Sequence, residues 1–290
     1  WSFCALILAR LYLCICRNDF NGASIVTYVY ALTPSILIFH SYLLREVWLS
    51  LFILCIIYSA VILDNHQKNL LRIFLILLIG LISLLFHRYM VVIISAVKAI
   101  VLIYDAIDKY SWYPFNNVKL ISYFGILAIV GFIVFNMNLE AIYYLTHNEV
   151  MDAIDKYRLG ARHGSYETSS EVRTTFERVF DKDSLLSILH VFSAYQLMPY
   201  PWKVSSILDL APLFENFLRV ALVILFIINR KRLSIVQKMN VDMIFLIWLS
   251  TEFIWSLGTV NWGTAYRHHT VVYGLLVLVA LASYRNYKEK

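Results

Sequence analysis

The sequence predicts an all-α integral membrane protein with about nine transmembrane helices and one large external loop. Three observations predict it. The chain is 60% hydrophobic and 15% charged over 290 residues, whereas soluble domains carry roughly 45–50% and 25%. Its apolar residues fall in blocks of sixteen or more, which a bilayer accommodates on every face of a helix and a soluble core does not need. Its basic residues divide unequally between alternate loops.

Apolar runs between polar punctuation give helices over 1–16, 23–43, 47–63, 70–86, 89–104, 118–136, 208–229, 241–257 and 270–284. The chain therefore divides into six spans over 1–136, an external loop over 137–207, and three spans over 208–290. Within the loop, 184–200 is also apolar, but its prolines and central His190 point to a re-entrant or surface-lying helix. The polar part is expected to hold short amphipathic helices near 139–158 and 171–180, with a turn at Gly160 to Gly164 between them. No internal repeat is visible, which weakens a transporter reading built on inverted repeats.

Sorting the loops by side places Arg17, Lys68, Arg72, Lys109, Lys119, Arg230, Lys231, Arg232, Lys238, Arg285, Lys288 and Lys290 together. The short loops of the other side hold Arg45, Arg88 and Arg267. The positive-inside rule makes the first side, with the C-terminus, cytoplasmic, and the loop 137–207 external. The net charge of +6 has its source in this bias. With no Lys/Arg stripe interleaved with aromatics, nucleic acid is not an expected partner. Cys4, Cys14, Cys16 and Cys55 all lie in apolar runs and read as buried small hydrophobes, not as a disulfide framework or a zinc site. The histidines lack ligand spacing, so no metal and no cofactor are expected. The chain opens on Trp1 within an apolar run, and its natural start is expected to lie upstream.

The three external arginines are the most informative residues. Each sits at a helix end where basic residues are disfavoured: Arg45 beside Glu46, Arg88 after His87, and Arg267 in Tyr266-Arg267-His268-His269. An Arg fork suits phosphate oxygens; the alternative is a snorkelling anchor at lipid headgroups. Glu46 reads as the partner of Arg45 or as a general base. The segment Gly258 to His269 reads as an external turn whose Asn261, Trp262 and Tyr266 suit a sugar, or as an ordinary connection. Tyr200 and Trp202, set among prolines, read as an interface anchor or a stacking platform. Arg162 and His163 could act at the external face or be solvated loop charges. Glu252, a carboxylate inside a span, is a functional candidate or a structural hydrogen-bonding group.

Pro34-Ser35, Leu44-Arg45-Glu46, Phe86-His87-Arg88-Tyr89, Pro199-Tyr200-Pro201-Trp202, Glu215 at the start of its span and Asn261 to His268 occur in this order. The series resembles bacterial O-antigen and capsular repeat-unit polymerases, kin to lipid-linked-sugar glycosyltransferases. That resemblance implies an inner-membrane enzyme joining glycans carried on undecaprenyl pyrophosphate at the external face. Arg45, Arg88 and Arg267 would neutralise the leaving pyrophosphate. Glu252, Glu46 or His268, in that order, would accept the hydroxyl proton. Related enzymes often carry an acidic residue in their first external loop, which here would lie upstream of Trp1. The implied partners are the lipid-linked oligosaccharide, membrane lipid, and polysaccharide chain-length regulators or export proteins. The competing expectations are a glycosyltransferase using a polyprenyl-monophosphate sugar, and a flippase or transporter, which charges buried mid-span would favour; Lys98 is read as the strong example.

The topology yields a direct expectation. A cysteine replacing Gly164, after removal of the native cysteines, should react with an impermeant thiol reagent from outside intact cells. Labelling only after permeabilisation would overturn the orientation.

Overall fold

The computed structural model describes residues 1–17, 19–41, 45–62, 185–204, 207–259 and 262–288. The predicted spans 70–86, 89–104 and 118–136, the polar part of the loop, and Arg88, Lys98, Arg162 and His163 lie outside the described residues. The described part is helical, with no strand: α1 (Ser2–Ile15), α2 (Phe20–Ala31), α3 (Pro34–Ser41), α4 (Arg45–Ile62), α5 (Leu185–Leu197), α6 (Leu210–Asn229), α7 (Ile235–Gly258) and α8 (Trp262–Lys288). Two helical stretches, Leu210–Arg232 and Gly263–Arg285, are long and apolar enough to cross a membrane. A third span results if the bent pair α2 and α3 counts as one.

Two predicted elements depart from the expected pattern for local reasons. The predicted span 23–43 is broken into α2 and α3, which meet at 66°. Pro34 has no N–H and pushes Thr33 out of the helical region, so α2 must stop there. The Thr33 hydroxyl then donates to the Val29 carbonyl at 2.7 Å and satisfies part of the frayed end. The expected turn at 258–269 is helical over much of its length, because α7 runs to Gly258 and α8 begins at Trp262. Nothing in the run from Gly263 to His269 breaks a helix as proline would, so the Gly/Thr composition that reads as a turn forms two helical turns instead. One face of α5 packs into the bundle, with Val191, Ala194 and Tyr195 buried.

The α6 helix shows why the bundle suits lipid. Glu215, Asn216, Arg219, Leu222, Phe226 and Asn229 face inward. Phe214, Phe217, Val220, Ile224, Ile227 and Ile228 are exposed. That is the reverse of a soluble amphipathic helix. An exposed row of that size would cost about 25 cal/mol per Å² in water and costs nothing against acyl chains. Cys14, expected to be buried, is likewise exposed, on α1.

Helix α8 occupies the centre and packs against all seven other helices. Its run from Val271 to Ala280 is buried throughout. A Cβ on Gly274 would lie 2.7 Å from Leu8 Cδ1 and 3.2 Å from the Tyr30 ring, so glycine permits the approach of α1 and α2. Contacts then sort to two ends. At one end Arg285 Nε donates to Asp19 Oδ2 at 2.7 Å, Gln237 reaches the Ile15 carbonyl at 3.3 Å, and Arg230 pairs with Asp242. At the other end Arg267 meets Glu46 and Tyr266 meets Glu215. Successive long helices thus run in alternating directions, as short connections require.

Asp19 caps α2, accepting from the Gly22 amide at 2.8 Å through one oxygen and from Tyr12 Oη at 2.6 Å through the other. A Cβ on Gly22 would overlap both side chains. Burial pushes the Asp19 carboxyl up, but the donors Tyr12, Gly22 and Arg285 outweigh it and hold the group below the usual carboxylate range. The stabilisation is therefore present above the unfolded value, near pH 4, and is lost as pH falls through the lower folded value. Thermal denaturation of the purified protein should show less acid destabilisation below pH 4 in Asp19→Asn, which is weaker at neutral pH; parallel profiles would remove Asp19 from the account.

Candidate functional site

The polar interior is built on four consecutive residues of α8. A helix turns about 100° per residue, so Tyr266, Arg267, His268 and His269 face four different neighbours. Tyr266 Oη donates to Glu215 Oε1 on α6 at 2.8 Å. Arg267 Nε lies 3.3 Å from Glu46 Oε1 on α4. His268 Nδ1 lies 3.1 Å from Thr259 Oγ1, just beyond α7. His269 Nδ1 lies 2.6 Å from Glu252 Oε2 on α7. One short segment of the central helix thus ties together three others.

Glu215 takes three hydrogen bonds: from the Ser35 amide at 2.7 Å, the Ser35 hydroxyl at 2.7 Å and Tyr266. Ser35 stands in the first turn of α3, whose unpaired amides and dipole favour a carboxylate. The break at Pro34 that divides α2 from α3 is what points these amides at α6. Four residues along, Arg219 is buried at 3% exposure. Its Nη2 donates to the Asn216 side-chain oxygen at 2.5 Å and to the Gln196 carbonyl at 2.7 Å.

A second set of contacts surrounds the C-terminal end of α5, which ends within the bundle. Pro199 prevents the helix from continuing, leaving its last carbonyls without intrahelical donors. Three are met by side chains from other helices. His269 Nε2 lies 3.1 Å from the Tyr195 carbonyl, Arg219 takes Gln196, and Asn216 Nδ2 donates to Leu197 at 2.8 Å. The Gln196 side chain returns a bond to Glu252 Oε2 at 2.7 Å. Glu252 is wholly buried, and its Oε2 takes from Gln196 and His269 the contacts that water would otherwise give.

The ring of His268 is held differently. It stacks on Trp255 with centroids 5.0 Å apart. The Thr259 hydroxyl spends its single proton on the Trp255 carbonyl at 2.8 Å. Its oxygen must therefore accept from His268, which places the ring proton on Nδ1 and the lone pair on Nε2 in the neutral ring. His268 is half-buried, and the Arg267 side chain is 35% exposed while its partner Glu46 is 2%.

Of the residues singled out from sequence, Glu252, Glu46, Tyr266, Arg267 and His268 come together at this end of the bundle. Arg45 opens α4 directly before Glu46, and Trp262 opens α8. Tyr200 and Trp202 stack with centroids 5.0 Å apart, and Trp202 is 77% exposed; neither makes a polar contact with the buried cluster. Asn261, Arg88, Arg162 and His163 lie outside the described residues. Sequence reading missed Arg219, Gln196, Asn216 and His269 and met Glu215 and Ser35 only through the resemblance. Glu215 and Arg219, four apart inside an apolar run, were a readable signal, because that spacing puts both on one helix face. Lys98 is therefore not the sole strong mid-span charge. Among the described residues no group of three His, Cys, Asp or Glu is placed to hold a metal ion.

Among the described residues the fold and the site define a helical bundle, with two or three helices long and apolar enough to cross a membrane, around a buried polar cluster. The chain matches no family model, and neither curated proteins nor solved structures gave a match.

Leaving a buried hydrogen-bond acceptor unpaired costs about 1–3 kcal/mol, and Arg219 serves two, the Gln196 carbonyl and the Asn216 amide oxygen. Arg219→Met should lower stability in reversible denaturation by that order, and Arg219→Lys by less, since it keeps the charge and loses the fork. Arg10→Met, at an exposed position of α1, should stay within about 0.5 kcal/mol. Equal midpoints for wild type and Arg219→Met would contradict the network.

Proposed function

We propose that the chain is a polytopic enzyme of the bacterial inner membrane that polymerises or transfers glycans from undecaprenyl-pyrophosphate-linked donors at the external face. The observation that carries this reading is Arg267, a partly exposed guanidinium at the end of the bundle, held against the buried carboxylate of Glu46. An exposed fork on a fixed base suits paired phosphate oxygens, where charge develops as the lipid pyrophosphate leaves. Arg45 begins the helix that supplies Glu46, and Arg88 is the third member of the trio. The positive-inside bias turns the Arg285 end, with Arg230, Lys231 and Arg232, toward the cytoplasm, and Arg267 with the loop 137–207 outward. About nine spans complete the topology, with α5 a re-entrant helix that enters and leaves on the external side.

The three candidate bases differ in access. Glu252 and Glu46 are fully buried and committed to His269 and Arg267. His268 is half-buried, and by exposure it is the most accessible of the three to the proton of the attacking sugar hydroxyl. Asn261, Trp262, Tyr200, Trp202, Arg162 and His163 are assigned to the glycan, through hydrogen bonds and ring stacking.

One observation favours a second reading. Arg219, Glu215 and Glu252 form an ionic cluster about two turns inside the bundle, next to the interrupted helices α2–α3 and α5. Transporters use broken helices and midplane charges in this way, so a lipid-linked oligosaccharide flippase is the alternative.

The readings separate in one assay: polymer formation from lipid-linked repeat units by purified protein in lipid. Loss of one charge-assisted contact worth about 1.5–3 kcal/mol corresponds to roughly 10- to 150-fold in rate. Arg267→Ala and Arg88→Ala should fall by that factor, and Arg267→Lys by less. Normal polymer from both alanine variants rejects the pyrophosphate role. Movement of the lipid-linked unit across vesicles without polymer from wild type would select the flippase.

A further inference from the structure

His269 faces two acceptors. Its Nδ1 meets a Glu252 oxygen and its Nε2 meets the Tyr195 carbonyl. A carbonyl accepts only, and an ionised carboxylate accepts only. A neutral imidazole has one N–H, so with an ionised Glu252 one of these two buried contacts would set lone pair against lone pair. Both are made good if the pair carries one more proton: either the ring is an imidazolium, or Glu252 is a carboxylic acid donating to Nδ1.

The charge count agrees. Glu215 accepts three hydrogen bonds, which favour its ionised form, and the Arg219 charge, four residues along, acts on it in the same sense. An ionised Glu252 beside a neutral ring would leave one uncompensated negative charge in a site closed to water. One added proton cancels it. Among the described residues the other ionisable groups facing the pair are Arg219 from α6, the Tyr195 phenol from α5, and, beyond Arg219, Glu215 of α6 and Tyr273 of α8. The negative end of the α5 dipole at Tyr195 also favours a proton on this ring.

We infer that Glu252 and His269 together form a buried proton-binding site, holding one proton at neutral pH that fastens the end of α5 to α7 and α8. The proton lies between two partners inside the protein, so Glu252 acts as a positioning residue for α5. This inference does not depend on the glycan reading.

The proton also gives folding a pH dependence with a definite sign. A pair that holds its proton at neutral pH binds it more tightly than an unfolded histidine, whose pKa is about 6.5. The stabilisation is complete below that value and disappears as pH rises through the higher folded value. The full-length protein in lipid nanodiscs or mixed micelles should lose stability above pH 7, the unfolding constant approaching roughly tenfold per pH unit. Glu252→Gln should lack this component, because the introduced amide can donate to Nδ1 of a neutral ring. Identical alkaline slopes in wild type and Glu252→Gln would overturn the proposal. If that variant does not fold, wild type decides the matter alone. In protein labelled with ¹⁵N-histidine and ¹³C-carboxyl glutamate, His269 is the ring coupled at short range to a carboxyl. At pH 7.5 the expected result is a doubly protonated ring, or a carboxylic-acid signal on its partner. A singly protonated ring beside an ionised carboxylate would overturn it.

Discussion

A helix that stops inside a bundle leaves carbonyl groups pointing into a medium that cannot solvate them, and most of the polar architecture answers that one constraint. The end of α5 at Leu197 is enforced by Pro199. Three of its last carbonyls require donors, and no neighbouring backbone supplies them. The donors come from His269, Arg219 and Asn216. Each then needs its own support: Glu252 for the histidine, the carboxylates Glu215 and Glu252 around the arginine, and Ser35 and Tyr266 for Glu215. A single broken helix thus propagates into a network across α3, α6, α7 and α8. Unpaired polar groups at this depth cost several kcal/mol each, so the network is expected to be retained whole or lost whole.

The central helix makes such a network possible. Its lower two-thirds is apolar and bare of large protrusions at Gly274, which lets α1 and α2 close in. Its first two turns carry four polar side chains in sequence, each directed at a different partner. Packing and chemistry are therefore separated along one rod. The apolar length fixes where the neighbours stand, and the polar turns read those positions. The other end is held independently by Asp19, Arg230, Asp242, Gln237 and Arg285, so the helices are clamped at two levels.

The helical class and the order of the described helices were legible because apolar runs and charge bias are properties of composition. Glu252, Glu46 and Arg267 were each conspicuous as charges at unusual places in an apolar chain, but the contact of Glu46 with Arg267 was not, since the sequence offered Arg45 as its partner. What escaped reading depends on direction. The choice between His268 and His269 as partner of Glu252 is a 100° rotation on α8, which one-dimensional spacing does not reveal. The break at Thr33 was signalled by Pro34, yet the continuous hydrophobicity of 23–43 concealed it. Gln196 and Asn216 gave no signal alone, because their importance comes from where α5 ends. Glycine and threonine near Trp262 favoured a turn on propensity, and tertiary packing overrode it.

The reversed pattern of α6 carries a consequence for evolution of the chain. Its outer row, from Phe214 to Ile228, is met by a fluid that asks only for apolarity, so Leu, Ile, Val and Phe are interchangeable there and sequence can drift freely. The inner row of Glu215, Asn216 and Arg219 answers to fixed partners and cannot drift singly. Two such rows on one helix diverge at very different speeds. Kinship among proteins built this way would survive in a few polar letters, spaced by helical turns, long after the surrounding text had been rewritten.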